Sequence, residues 1–284
     1  MRGTTAIAST TFFALAALLG MAAGQGRASA QAANSSADNE WLKTTRDLYY
    51  SSEKAGLKGF DCDVHPDWKT LLVSAGKGAA VADDDPRIVL LKPVKVTLHV
   101  QMSQGPSSQG STVDWNANAA PGTTPDQQSA AMLEGMHRSV EQTLDGFLQF
   151  WTPFIENKEV PEAPNGLEIT HTATTHTIHA KQGSTEMTEV FDKDRVLEEF
   201  DVNLNGISVK FAPSFEPTPK GLRVYKFDAH LTREGGEAGQ RQDMHVSIQY
   251  QTVNNVYLPS TLNMDVVGTG TFSYTFDGCS TTGS

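Results

Sequence analysis

Val202-Asn203-Leu204-Asn205-Gly206-Ile207-Ser208-Val209 reads as two short strands around a two-residue turn. Asn-Gly favours the type I′ turn, because both central residues take a positive φ and glycine does so without steric cost. Centring the turn there pairs Leu204 with Ile207, Val202 with Val209 and Phe200 with Phe211, all of them apolar. Side chains alternate along a strand, so matched apolar pairs predict an antiparallel sheet with one face on a core.

The same pattern continues on both sides. Downstream, Leu222 to Leu231, Met244 to Thr252, Tyr257 to Val267 and Thr271 to Asp277 read as strands. Met244, Val246, Ile248 and Tyr250 alternate with His245, Ser247, Gln249 and Gln251, giving one apolar and one polar face. A turn at Asn254-Asn255 would pair Ile248 with Thr261 and throw Leu262 onto the polar side. A bulge near Pro259-Ser260 is therefore expected to restore the register. Upstream, Val94, Val96, Leu98, Val100 and Met102 alternate with Lys95, Thr97, His99 and Gln101; Gly59 to Val64 and Ser111 to Trp115 are shorter extended pieces.

Helical periodicity is confined to three places. Ser36 to Lys54 carries Trp41, Leu42, Thr45, Leu48 and Tyr49 at three- and four-residue steps, and His65-Pro66-Asp67 begins a short helix through Leu71 and Leu72. The longest helix, Asp126 to about Phe150, presents Met132, Leu133, Met136, Val140, Leu144, Phe147, Leu148 and Trp151 along one side, with Pro153 expected to end it. The fold class predicted is α+β. A curved, mostly antiparallel sheet or incomplete β-barrel of about nine or ten strands wraps this apolar helix, and another helix lies at the N-terminal end.

Residues 1–30 read as a cleaved export signal: Arg2, the apolar run Thr10 to Ala23, and Ala28-Ser29-Ala30 before Gln31. Residues 31–284 are then expected to form a single α+β domain with flexible loops near 103–111 and 117–125, in the periplasm or outside the cell. The apolar run is too short to span a bilayer and no second one follows, so no transmembrane segment is expected in the mature chain. In an oxidising compartment, the two cysteines, Cys62 and Cys279, are read as one disulfide. Removing residues 1–30 takes away Arg2 and Arg27 and no acids, leaving 20 bases against 33 acids and a formal charge of −13. That balance disfavours nucleic acid as a partner.

Candidate chemistry is sparse. Nucleophile-elbow, His-Glu-x-x-His, phosphate-loop and dinucleotide motifs are absent, and Ser51-Ser52-Glu53-Lys54 lacks the companion motifs of Ser-x-x-Lys enzymes. Glu186 and Glu189 read as solvated strand residues. LEITHTATTHTIHA, Leu167 to Ala180, holds three of the eight histidines. A hairpin centred between Ala173 and Thr174 sets His171 opposite His176, Ile169 opposite Ile178 and Leu167 opposite Ala180, and puts His179 on the other face. Three histidines on this hairpin therefore cannot share one metal. His171 and His176 remain metal candidates if another strand supplies a ligand; otherwise they close a core or sense pH. No cofactor is expected.

Val190-Phe191-Asp192 followed by Val196-Leu197-Glu198-Glu199-Phe200, the Asn205-Gly206 hairpin and Tyr257-Leu258-Pro259 before a final strand pair resemble the periplasmic lipoprotein-carrier (LolA-like) proteins. That resemblance implies an incomplete barrel around a helix, an acyl-chain cavity between them and no catalytic residues. The cavity candidates are Met132, Met136, Val140, Leu144, Phe147, Trp151, His171 and His176. The loop at Gly105 to Pro125, the cysteine pair and the acidic balance depart from that family. The first expectation is thus a non-enzymatic cell-envelope protein binding a lipid or other hydrophobic ligand. An interaction or structural module with a filled core, and a metal-dependent hydrolase using His171 and His176, are the alternatives.

Overall fold

The computed structural model describes residues 36–76, 79–102, 110–117, 126–162, 166–204, 207–233 and 241–282. The export signal, the Asn205-Gly206 turn and most of the two expected flexible loops lie outside the described residues.

The expected hairpin pairs hold: Leu204 faces Ile207, Val202 faces Val209 and Phe200 faces Phe211, joining β7 (Leu197–Leu204) to β8 (Ile207–Thr218). Each following strand turns back on its predecessor, through β9 (Gly221–Arg233), β10 (Arg241–Val253), β11 (Val256–Val266) and β12 (Gly270–Thr282). On the other side, β7 pairs with β6 (Thr185–Asp192), β6 with β5 (Thr175–Gln182) and β5 with β4 (Leu167–His171). The first three strands, β1 (Gly59–Pro66), β2 (Val94–Gln101) and β3 (Gly110–Ala117), form their own meander and join through a β1–β12 pairing.

The result is one antiparallel sheet of twelve described strands, curved and unclosed, with β3 and β4 as its edges. Twelve described strands exceed the nine or ten expected, and of these β6 has the least legible inward face. Its Thr185, Glu186, Thr188 and Glu189 hide the two-residue period, because one of those acids faces inward. The bulge expected in β11 is present: Gln249 faces Thr261 while Tyr250 faces Pro259, so Ser260 is the extra residue and Ile248 meets Leu262.

Helices cover the sheet. The N-terminal helix, α1 (Ser36–Arg46), is shorter than its periodicity suggests; after it Tyr50 N–H donates to the Leu222 carbonyl and Leu222 N–H to Leu48. Capture of residues 48–50 by β9 competes with further helical hydrogen bonds. Gly221 makes that approach possible, since a Cβ there would lie 2.8 Å from the Leu48 oxygen. Next come α2 (Trp68–Ala75), capped by Asp67 as the sequence suggests, and a short helix α3 (Pro86–Leu91) capped by Asp85.

The main helix, α4 (Gln127–Glu156), begins at the Asp126 cap and passes Pro153 before stopping at Asn157, whose φ is 57°. The proline removes one N–H and its ring crowds the carbonyl four residues back, yet only the last turn lies beyond it and that turn is kept. Asn157 ends the helix in the left-handed conformation, and Lys158 N–H reaches back to the Pro153 carbonyl. No described helix is long and apolar enough to cross a membrane.

Cys62 and Cys279 are joined, with Cα atoms 4.1 Å apart. The bond sits at a register slip between β1 and β12, where Asp61 faces Ser280 but Asp63 faces Asp277. It therefore locks the pairing that unites the N-terminal meander with the rest of the sheet.

Candidate functional site

The apolar face of α4 lies on the inner face of β1, β2 and β8–β12 and forms the main core. Val140, Leu144, Phe147 and Trp151 are 0–1% exposed. Trp151 stacks on Phe147, meets Phe60 edge-on, and donates its Nε1 hydrogen to the Tyr250 hydroxyl at 2.9 Å; that hydroxyl donates to the Val224 carbonyl at 2.6 Å. A buried indole N–H needs such a partner. Burial of each of these side chains contributes roughly 1.5–3 kcal/mol relative to exposure.

Packing loosens toward the N-terminal half of the helix. Leu133 and Met136 are 9% and 7% exposed, and Met132 is half-buried against the core. Here His137 stacks on Trp115 of the edge strand β3 at 5.0 Å, and Trp115 meets Trp68 edge-on at 5.7 Å. The methionines, three bonds long and unbranched, can adapt to irregular neighbours.

His171 and His176 lie elsewhere. They face each other across β4 and β5, as the hairpin register requires, with Nδ1 atoms 2.7 Å apart. One of the two must donate and the other accept. His171 Nε2 meets Asp38 of α1 at 3.2 Å, and the Trp41 ring packs on both imidazoles. Burial and the neighbouring His171 push the His176 pKa down. The pair thus belongs to a second core under α1, built on Leu42, Tyr49, Val160, Ile178, Phe191 and Leu197, and not to the α4 face. Among the described residues, no group of three or more His, Cys, Asp or Glu side chains is placed to hold a metal ion.

Four other histidines meet aspartates within the strands. His99 meets Asp61 at 2.6 Å, His230 meets Asp243 at 2.7 Å, His245 meets Asp228 at 2.6 Å and His65 meets Asp277 at 3.0 Å. The first three of these join residues directly opposite one another on neighbouring strands, where facing side chains interact.

Besides His171 and His176, the sequence also misplaced Glu189. Glu186 is exposed and paired with Lys181, but Glu189 is 2% exposed, facing inward between Ile178 and Phe200 on the flanking strands. Glu159, just past the end of α4, is 6% exposed. Both oxygens of Glu159 and one of Glu189 have no hydrogen-bond partner in the protein. Burial pushes both acids well above the usual carboxylate range, and the charge of Glu159 raises Glu189 further. Glu159's own backbone N–H and the Arg46 charge offset part of its shift without a hydrogen bond to either oxygen. The clue in the sequence was parity: Glu189 stands two residues before Phe191, so a strand that buries one faces the other inward.

In comparisons with known proteins, no family model, no curated protein and no solved structure matches this chain. Fold and geometry therefore carry the functional reading.

Proposed function

We propose that this chain is an exported, non-enzymatic protein of the cell envelope that receives a lipid or another hydrophobic ligand between the sheet and the N-terminal half of α4. The observation that carries this reading is the packing gradient along the helix, from fully buried Val140 and Leu144 to the looser Met132, Leu133 and Met136 beside an open sheet edge. An apolar site with a few polar groups is what a hydrophobic ligand needs. Trp115 and His137 would supply the polar margin. The resemblance to lipoprotein carriers implies the same arrangement, a helix held in an unclosed barrel. A disulfide is compatible with an oxidising compartment outside the cytoplasm.

The test is organic extraction and native mass spectrometry of the purified mature protein, followed by titration with a hydrophobic fluorescent probe. A co-purifying lipid, or probe binding that Met136→Trp abolishes, is expected. A protein that carries no lipid and binds no probe removes the reading.

One observation favours an interaction or structural module instead. Side chains at 0–1% exposure touch no water-sized void, so the helix is seated without a gap from Val140 to Trp151. If the whole face is filled in this way, Met136→Trp overpacks it and costs about 1–3 kcal/mol.

A further inference from the structure

The second core has a polar floor. Under α1 and the corner at residues 157–160 lie Glu159 and Glu189, and the Asn157 Oδ1 and Thr45 Oγ1 atoms of the same cover are also buried without partners. The cover itself is well tied. Asn157 Nδ2 donates to the Arg46 carbonyl at 2.7 Å and Arg46 Nη1 to the Val160 carbonyl at 2.6 Å. Tyr49 donates to the Arg195 carbonyl at 2.9 Å and accepts from Leu197 N–H at 2.7 Å.

The charged and titratable groups around the two acids come from each packed element. From α1 and its exit come Arg46 and Tyr49; from the corner, Lys158, which is paired with Glu156; from the β6–β7 turn, Asp192 and Arg195; from β4 and β5, His171 and His176 beside Trp41. Arg46 is already engaged with the Val160 carbonyl and Glu162, and it acts on Glu159 only through space. Two ionised carboxylates in such a place face both desolvation and mutual repulsion.

We propose that Glu159 and Glu189 form a proton-operated latch: protonated, they let α1 and the 157–160 corner close over the second core, and ionised, they release that cover. In the released state both acids are solvated and titrate near the ordinary glutamate value of about 4.3. In the closed state they hold protons to higher pH. The closed form is therefore fully favoured below that ordinary value. Opening releases protons as pH rises above it, so the opening constant grows about tenfold per pH unit for each proton released. Growth stops once the closed form itself ionises. Arg46 favours the charged form of Glu159, which makes Glu189 the group that keeps its proton longer. His176, whose pKa burial and His171 push down, acts in the opposite sense, losing stability as pH falls.

Hydrogen exchange by mass spectrometry on the intact protein, corrected for the intrinsic pH dependence of exchange, reads this out. Protection of residues 36–49 and 157–162 should fall as pH rises above the ordinary glutamate range, by about tenfold per pH unit for each proton released, while that of α4 residues 140–151 stays level. Glu189→Gln should flatten the slope, and Glu159→Gln should reduce it less. A protonated-carboxyl band that persists above the ordinary glutamate range in pH-difference infrared spectra of the wild-type protein is the second expected result, and it does not require the variants to fold. An equal slope in wild type and Glu189→Gln, or no such band, overturns the proposal.

Discussion

Replacing both Cys62 and Cys279 with alanine should destabilise the protein by about 5 kcal/mol, chiefly by freeing the unfolded chain. The two residues are 217 apart in sequence, and on the chain-entropy model closing a loop of that length lowers the entropy of the unfolded ensemble by an amount equivalent to about 5 kcal/mol at 25 °C. In the folded state little else need change, because β1 remains paired with β12 on both sides of the slip and with β2 along its other edge. Equilibrium urea denaturation of the oxidised wild type, the reduced wild type and the double variant measures the effect, and the latter two should agree. In heat, a loss of this size corresponds to roughly 10–20 °C of melting temperature for a chain of this length. A loss under about 1 kcal/mol would refute the reasoning. It would mean that the unfolded chain already keeps its two ends together, or that the bond relieves nothing in the unfolded ensemble.

Two glycines make a matched pair with opposite outcomes. Gly221→Ala should destabilise by well over 1 kcal/mol, since φ is 114° and a Cβ would meet the backbone of Leu48 and Tyr49, whereas Gly135→Ala, on the open side of α4, should stabilise by about 0.5–1 kcal/mol; thermal melts of the two variants check both signs. Tyr250→Phe should cost about 1–3 kcal/mol in denaturant titrations, because it orphans the buried Trp151 N–H and the Val224 carbonyl together. Acid acts through His176, whose pKa is depressed in the folded protein: its contribution to stability is present above the unfolded value of about 6.5 and is lost as pH falls below it toward the folded value. Histidine resonances followed by NMR against pH should show one imidazole of the hairpin titrating below the ordinary value, and His176→Gln should remove the matching acid dependence of stability.

Local patterning carried much of the sheet. An Asn-Gly turn with apolar pairs around it sets its own register, and the slip after Asn254-Asn255 could be deduced because a misplaced Leu262 would face water. The hairpin holding His171 and His176 followed from the same parity rule. The burial of Glu189 in β6 escaped that rule because an inward glutamate looks like a solvated one until the covering helix is known. The ends of α1 and α4 escaped it too, since a neighbouring strand captures Tyr50 and an asparagine outlasts Pro153.

Read alone, the sequence determined the antiparallel hairpins, their registers, the amphipathic face of the long helix and the two cysteines available to pair. These depend on residues a few positions apart, whose periodicity and turn chemistry act before any distant contact forms. The tertiary structure alone decided that β1 lies beside β12 and that His171 and His176 belong to the core under α1 and not to the α4 face, whereas the Cys62–Cys279 bond read from the sequence is present. It also decided that Glu159 and Glu189 are both buried. Burial is a property of what covers a residue, and here the covering segments come from the far ends of other elements.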